Sequence, residues 1–213
     1  MKDLTHIFLD LDGPLLDGKE RHYFCYQQIL KASAHTPLEI EQYWNYKKAC
    51  GDLRGLLKMS GAEEIFDSFL TAWLSLIESP EALAFDKVQS GAIENLTGWK
   101  ERGINLVLVT MRKQRQALYR QLDGLKLRPL LNAVLICEHD DGGRGKAAAV
   151  QELHSNASLA GRAVWIGDTE VDWEAAQTLG CRVVLVSNGL RDEACLQSLN
   201  GAVVVPSIAS VEL

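Results

Sequence analysis

Short runs of apolar residues recur along the chain, and each ends at polar or glycine-containing positions. The first run, from Thr5 to Leu9, is followed by the segment Asp-Leu-Asp-Gly-Pro. The later runs are Asn105 to Thr110, Ala133 to Cys137, Ala163 to Ile166 and Arg182 to Val186, with a further candidate at Ala202 to Val205. Continuously apolar runs of this length are typical of strands that are buried on both faces of a sheet. The pattern therefore predicts buried strands.

Between these runs, apolar residues recur at intervals of three and four, which is the spacing of helices. The predicted helices lie near Val88 to Arg102, Gln114 to Leu122, Ala147 to His154, Trp173 to Leu179 and Asp192 to Leu199. Strands that alternate with helices in this way form a parallel sheet covered by helices on both faces. We therefore expect an α/β fold with a Rossmann-like parallel sheet.

One long segment interrupts this alternation. From Glu20 to about Ile77 the helical spacing continues, with breaks at Thr36-Pro37, Gly51 and Gly61, and no strand pattern is found. Three or four helices are expected there. We therefore predict an α/β core formed by residues 1–17 and 81–213, with a small all-helical cap domain, residues 18–80, inserted after the first strand.

The composition excludes several functional classes. The chain has 213 residues, 47% of them apolar, which is enough for a buried interior. Its longest apolar runs fall far short of the roughly 20 residues that cross a bilayer, so no membrane span is expected. The net charge of −6 opposes general binding of nucleic acids, which requires clustered lysine and arginine. An early Asp and a short first apolar run argue against a signal peptide, and we expect the protein in the cytoplasm.

The five cysteines, Cys25, Cys50, Cys137, Cys181 and Cys195, are odd in number and widely separated. They form no C-x-x-C pair of the kind used in zinc or redox sites. We therefore expect reduced and mostly buried thiols. The sequence shows no sustained heptad pattern that would indicate a partner surface, so it leaves the oligomeric state open.

Residues that can carry chemistry follow the predicted strands or begin the next helix. They are Asp10 and Asp12 after the first strand, Thr110 at the end of the second, Lys146 in the helix after the third, and Asp168 and Asp172 after the fourth. Ligands of open parallel sheets bind at the carboxyl ends of the strands. We therefore expect these side chains to converge on one site.

Each of these residues alone has an ordinary structural explanation. A D-x-D-G segment also occurs as a polar turn, and Gly167-Asp168 is compatible with a helix N-cap. Thr110 suits a strand end, and an isolated Lys146 suits a solvated surface. Their joint occurrence, in this order and at these positions, favours a functional site over four unrelated features.

Together the residues resemble the four ordered motifs of haloacid dehalogenase-type phosphatases: D-x-D-G, a Ser or Thr, a Lys, and G-D-x-x-x-D. The resemblance covers nearly the whole chain. It implies that Asp10 attacks phosphorus and that Asp12 acts as acid for the leaving alcohol and as base for water. It also implies that Thr110 and Lys146 hold the phosphoryl oxygens.

The resemblance further implies a Mg²⁺ site. Its ligands would be Asp10, Asp168 and the backbone carbonyl of Asp12, with Asp172 supporting the site from outside the ligand set. The physical reason stands apart from the family. Attack by a carboxylate on a phosphate brings two anions together, and a hard cation with oxygen ligands offsets their repulsion.

The resemblance implies a phosphatase, similar to phosphoglycolate phosphatases, that acts on a small phosphorylated metabolite such as a sugar phosphate, phosphoglycolate or a nucleotide. The helical segment would then be a lid, and Arg54 is its predicted substrate contact. Two alternatives stay open: a sugar phosphomutase, and a non-enzymatic binding or regulatory module. Two positions depart from the family pattern, since Pro14 lacks a backbone amide for phosphate and Met111 follows Thr110 where Asn is common.

Overall fold

Eight strands and ten α-helices are found in the computed structural model of the protein, which describes residues 4–137, 141–153 and 159–213. The strands are β1 (His6–Leu9), β2 (Leu16–Asp17), β3 (Lys87–Val88), β4 (Asn105–Thr110), β5 (Ala133–Ile136), β6 (Ala163–Gly167), β7 (Arg182–Val186) and β8 (Val203–Val205). Six of them form a parallel sheet in the order β5-β4-β1-β6-β7-β8, and β2 pairs with β3 in a separate antiparallel pair. The predicted α/β fold class is confirmed.

The helices fall into two groups. The first four, which we call the helical insert, are α1 (Lys19–Ala32), α2 (Ile40–Lys48), α3 (Leu53–Met59) and α4 (Phe66–Leu76). The others are α5 (Pro80–Leu83), α6 (Ala92–Glu101), α7 (Arg115–Gly124), α8 (Gly142–Leu153), α9 (Glu170–Leu179) and α10 (Glu193–Gln197). Within the described residues, no helix has both the length and the apolar character that a membrane crossing requires.

The sheet has a separate apolar layer on each face. Ile7 and Leu9 of β1 belong to one buried cluster, whereas Phe8, between them, belongs to the other. Trp165 of β6 packs on the same side as Phe8, with ring centroids 5.7 Å apart. Successive side chains of a strand point to opposite faces, so a strand buried on both sides must be apolar at every position. This explains the continuous apolar runs in the sequence.

The helical insert has its own core. Tyr26 of α1 and Tyr43 of α2 are fully or almost fully buried and stack with ring centroids 4.5 Å apart. Leu57 and Phe69 complete the same cluster, and Leu190 packs against it from the segment that follows β7. The insert therefore combines an independent interior with a contact to the sheet domain.

A second attachment joins the insert to the core at the end of α2. The backbone oxygen of Lys48 accepts a hydrogen bond from the amide of Asp192 at 3.0 Å, and Lys48 Nζ donates to the backbone oxygen of Ser187 at 2.8 Å. A disulfide joins Cys50 to Cys195, whose Cα atoms are 6.3 Å apart. The expectation of reduced thiols is therefore wrong for this pair, because residues separated by 145 positions meet only in the fold.

The other three cysteines, Cys25, Cys137 and Cys181, are free and buried, as expected. Burial raises the pKa of each of these thiols to about 11.

The predicted starts of two helices differ from the structure by four residues or more. The helix expected from Val88 begins at Ala92, because Gly91 has a φ of +81° and separates it from β3. The helix expected from Ala147 begins at Gly142, although glycine disfavours helices. Its predicted end, His154, lies outside the described residues. Packing of α8 against α9 outweighs the local preference of its glycines.

Candidate active site

The sheet order brings the motif residues together. Strand β1 lies between β4 and β6, where the strand order reverses direction, so Asp10 after β1 adjoins Thr110 at the end of β4 and Asp168 after β6. Ligands of open parallel sheets bind outside the strand ends at such a switch point. The sequence-based expectation of a single site at this edge therefore has a topological basis.

Lys146 links the first and last motifs. Its Nζ lies 2.9 Å from Asp10 Oδ1 and 2.8 Å from Asp172 Oδ1, and the side chain is only 2% exposed. Burial alone would lower the pKa of Lys146, but the charges of Asp10 and Asp172 outweigh burial and hold it above its ordinary value. Lys146 is therefore a charged ammonium group held at a fixed distance from Asp10.

Asp172 has hydrogen-bond donors at both carboxylate oxygens. Oδ1 accepts from Lys146 Nζ and from Trp165 Nε1, the latter at 3.2 Å. Oδ2 accepts from the backbone amides of Asp168 and Thr169 and from Thr169 Oγ1, at 2.9 to 3.2 Å. Thr169 and Asp172 thereby form a capping box at the start of α9. Asp172 orders the loop after β6 and the ammonium of Lys146.

Asp168 is fully buried, and its two oxygens differ. Oδ2 accepts a hydrogen bond from the amide of Leu190 at 2.6 Å, whereas the buried Oδ1 has no hydrogen-bond partner among the described residues. Burial, together with the charges of Asp172 and Asp10, raises the pKa of Asp168 well above its usual range. A buried carboxylate oxygen without a donor is costly unless a further group contacts it.

The carboxylates of Asp10, Asp168 and Asp172 present oxygen atoms that lie within 4.8 Å of one another. Burial, with smaller contributions from the charges of Asp172 and Asp12, outweighs the opposing charge of Lys146 and raises the pKa of Asp10 to about 7. One ammonium group, that of Lys146, thus accompanies three carboxylates. An all-oxygen cluster with excess negative charge and an unpartnered oxygen fits a hard divalent cation.

Two glycines allow the backbone to approach Asp168. A Cβ atom at Gly13 or at Gly189 would collide with the Asp168 carboxylate, and Gly13 also has a φ of +96°. Only glycine combines this conformation with this close approach. The glycine of the D-x-D-G motif therefore has a packing role at the acidic cluster as well as a role in the turn.

Asp12 lies in a different ionic network. Arg112 donates from Nε to Asp12 Oδ2 and from Nη2 to Oδ1, both at 2.8 Å, and Arg21 Nη2 donates to Oδ1 at 2.5 Å. Behind them, Asp86 pairs with Arg21 at 3.0 Å and with Arg112 at 3.2 Å. The two arginines and Asp86 are almost completely buried. The two arginines and the two aspartates, Asp12 and Asp86, therefore form a closed ionic network.

This network fixes the charge of Asp12. Burial opposes the carboxylate, but Arg112 and Arg21 outweigh burial and hold the pKa of Asp12 well below its usual range. Charge-assisted bidentate pairs of this kind also fix the orientation of the carboxylate. The structure therefore shows Asp12 as an oriented carboxylate.

A cavity of about 330 Å³ opens over these groups. Its walls include Asp10, Asp12, Thr110, Met111, Arg112 and Lys146 from the core, and Arg21, His22 and Trp73 from the insert. Thr110 is 1% exposed and its Oγ1 accepts from the amide of Arg112 at 3.3 Å. The predicted motif residues thus gather at one cavity, with Asp168 and Asp172 behind it.

Arg54, the predicted substrate contact of the insert, lies elsewhere. Its side chain is exposed, and its guanidinium carbon is 3.8 Å from the centroid of the Phe66 ring. It does not line the cavity that contains Asp10. The insert residues that do line it include Arg21, His22 and Trp73, and none of them was predicted as a site residue.

Three residues of the Asp12 network were also missed as site residues. Arg112 carries a usable signal, because it stands two residues after Thr110 at the end of a predicted strand. Arg21 and Asp86 carry none, since a charged residue in the first turn of a helix and one before a short strand are ordinary surface features.

The comparisons with known proteins agree with this geometry. The family model of haloacid dehalogenase-like hydrolases matches residues 4–180. No curated protein matches the chain significantly by sequence. A predicted phosphatase from Clostridium acetobutylicum has 19% identity and a TM-score of 0.74, with 97% of this chain and 95% of that chain covered.

Two further solved structures have the same fold. A predicted phosphoglycolate phosphatase from Haemophilus somnus 129PT has 17% identity and a TM-score of 0.74, with 98% of this chain and 96% of that one covered. The Protein Tyrosine Kinase A of Mycobacterium tuberculosis has 20% identity and a TM-score of 0.73, with the same two coverages. At these identities the likeness shows the fold alone. The family model spans most of the chain, and the chain belongs to the haloacid dehalogenase-like hydrolases.

Proposed function

We propose that this protein is a Mg²⁺-dependent phosphatase that hydrolyses a small phosphomonoester, with Asp10 as the nucleophile. The observation that carries the proposal is the position of Asp10. Its carboxylate lies at the cavity, 2.9 Å from the Lys146 ammonium, and shares an acidic cluster with Asp168 and Asp172 in which oxygen atoms lie within 4.8 Å of one another. This arrangement provides a nucleophile, a cation for phosphoryl oxygens and oxygen ligands for a metal.

The residues present fit a magnesium ion. Asp10, Asp168 and the backbone carbonyl of Asp12 would hold it, and Asp172 would orient the loop that carries Asp168. When bound, Mg²⁺ would offset the repulsion between the attacking carboxylate and the phosphoryl oxygens. Lys146 and Thr110 line the cavity beside Asp10, and we assign them to the phosphoryl oxygens.

The proposed reaction has two steps. An Asp10 oxygen bonds to phosphorus as the ester bond breaks, and the leaving oxygen takes a proton from the Asp12 carboxyl group to become an alcohol. Asp12, now a carboxylate, then takes a proton from water, the water oxygen bonds to phosphorus, and Asp10 is released. The sum converts ester and water into alcohol and inorganic phosphate, with Asp12 protonated again. Since Arg112 and Arg21 favour the carboxylate form of Asp12, we expect the substrate, bound as its monoanion, to protonate Asp12 before the ester bond breaks. The proton that Asp12 later takes from water is released to the solvent when phosphate leaves, so Asp12 returns to its carboxylate form.

The position of the helical insert beside the cavity supports a role as a lid over the candidate site. His22 and Trp73 from the insert and Thr110 and Lys146 from the core line the same cavity. We propose residues 18–80 as the cap domain and a small phosphorylated metabolite as the substrate, because a cavity of about 330 Å³ suits a small molecule.

The proposal is tested with p-nitrophenyl phosphate as a generic ester. We expect Mg²⁺-dependent release of inorganic phosphate that chelation with EDTA lowers about a hundredfold. Asp10→Asn should lower kcat by about a thousandfold or more, since it removes the nucleophile. Asp17→Asn is the matched control, because Asp17 is exposed and belongs to the same segment. It should retain wild-type activity.

Three outcomes would contradict the proposal in different ways. Robust Mg²⁺-dependent turnover by Asp10→Asn would exclude Asp10 as the nucleophile. Transfer of the phosphoryl group to an added sugar without release of phosphate would favour a phosphomutase. If the wild type hydrolyses none of a panel of phosphate esters faster than the uncatalysed rate, a non-enzymatic binding module would be favoured.

A further inference from the structure

Lys47, in the last turn of α2, is an unusual lysine. Its Nζ lies 2.9 Å from His22 Nδ1 and 4.9 Å from the centroid of the Trp73 ring. Within residues 4–137, 141–153 and 159–213, no carboxylate forms an ion pair with it. An ammonium group only donates, so His22 Nδ1 accepts in this contact and does not neutralise the charge.

The charges around Lys47 are also positive. Burial, together with the charges of Arg191 and Arg21, lowers its pKa to about 7. Each of those arginines has acidic partners of its own: Arg191 pairs with Glu170, and Arg21 pairs with Asp12 and Asp86. A partly desolvated cation among cations is unfavourable unless an anion contacts it.

Lys47 lines a second cavity, which shares wall residues with the cavity that contains Asp10. Trp73 and Arg191 line both the cavity that contains Asp10 and a second cavity of about 260 Å³. His22 lines the first cavity, and Lys47 lines the second. Lys47 therefore stands at the boundary on the insert side, away from the phosphoryl-binding groups of the core.

We propose that Lys47 binds a second anionic group, a carboxylate or a second phosphate, on the leaving-group part of the substrate. The inference rests on the proposed function and narrows it to phosphomonoesters that carry another negative charge. An anion at Lys47 would supply the ion-pair partner that the described residues do not provide. His22 positions Lys47 by accepting a hydrogen bond from its ammonium group. The charged form of His22 is disfavoured, because burial and then the charge of Lys47 lower the pKa of His22.

The test measures binding and so does not depend on turnover. The Asp10→Asn protein is titrated with two matched pairs of esters: 3-phosphoglycerate against glycerol 3-phosphate, and glucose 1,6-bisphosphate against glucose 6-phosphate. We expect the member with the second anion to bind about tenfold to a hundredfold more tightly in at least one pair. The pair that shows the preference identifies the second group as a carboxylate or a phosphate.

Substitution of Lys47 in the same background should remove this preference. Lys47→Met should weaken binding of the doubly anionic ester and leave the Kd of its partner unchanged, whereas Lys47→Arg should retain most of the preference. Lys58→Met is the matched control, because Lys58 is an exposed lysine of the insert, and it should change neither Kd. Lys47→Gln serves as a second neutral variant.

Two results would overturn the inference: equal binding of both members in each pair, or an equal loss for both members in Lys47→Met and Lys47→Gln. The thermal midpoint separates binding from structure, since removal of an unpaired cation should not lower it, whereas a structural role would. Failure of the proposed function is distinguishable, because it appears as an absence of turnover by the wild type and does not alter these binding comparisons.

Discussion

Asp10 and Asp12 stand two residues apart, yet their carboxylates have opposite surroundings. Asp10 faces one ammonium, that of Lys146, and shares a buried cluster with Asp168 and Asp172. Asp12 faces two guanidinium groups, Arg112 and Arg21. Burial raises the pKa of Asp10 to about 7, whereas the arginines overcome burial and lower that of Asp12. One ammonium group thus accompanies three carboxylates around Asp10, whereas two guanidinium groups contact the single carboxylate of Asp12.

The difference follows from where the partners come from. Lys146 and Asp172 belong to α8 and α9, so the surroundings of Asp10 are built by the sheet domain. Arg21 belongs to α1, so the surroundings of Asp12 include the helical insert. The proposed nucleophile is therefore positioned by the core, while the charge on the proposed proton carrier depends in part on an arginine of the insert.

The largest effect is expected for Lys146→Met, which removes the ammonium that contacts Asp10. Loss of one cation that contacts a transferring phosphoryl group should lower kcat/KM about a hundredfold to a thousandfold. Removing one partner of a buried pair should also lower the free energy of unfolding by about 3 to 5 kcal/mol. Steady-state kinetics and urea unfolding measure both quantities. Lys100→Met, at an exposed position, is the control, and equal behaviour of the two variants would contradict this account of the Asp10 side.

An intermediate effect is expected for Arg112→Lys on the Asp12 side. Lysine keeps the charge but cannot contact both oxygens of Asp12 as the guanidinium does. The carboxylate should lose its fixed orientation, so kcat should fall about tenfold while KM changes little. The matched change Arg115→Lys is at an exposed position and should have no effect. A change confined to KM would indicate that Arg112 binds substrate and does not orient Asp12.

The smallest effect on activity is expected for Asp86→Asn. Asp86 contacts Arg21 and Arg112 but does not line the cavity, so it acts only through them. We expect kcat to fall about threefold and the free energy of unfolding to fall by about 1 to 3 kcal/mol, because a buried charged partner is lost. Asp123→Asn breaks an exposed pair with Arg128 and should cost less than about 1 kcal/mol. If both substitutions cost the same, the buried network does not support Asp12.

The difference between the surroundings of Asp10 and Asp12 also explains how much of the site could be predicted from the sequence. The six strands of the parallel sheet and the motif residues were predictable because each depends on a local pattern, such as the apolar run before Asp10 or before Gly167. The short strands β2 and β3 were not predicted. The surroundings of Asp12 were not predictable, because they depend on how the insert and the segment before β3 pack. Arg21 contacts Asp12 directly, and Asp86 contacts Arg21 and Arg112. The pairing of Cys50 with Cys195 was hidden for the same reason, since no local pattern relates two cysteines 145 positions apart.

The disulfide between Cys50 and Cys195 has a mechanical consequence. The polypeptide enters the insert before α1 and leaves it after α4, and two such crossings alone would act as a hinge. The disulfide is a third covalent attachment, at the end of α2, and it limits how far this end of the insert can move away from the core. Lys47 stands three residues before Cys50, so in the oxidised protein its distance from the core is limited by a covalent tether. Reduction of this single bond would remove that limit.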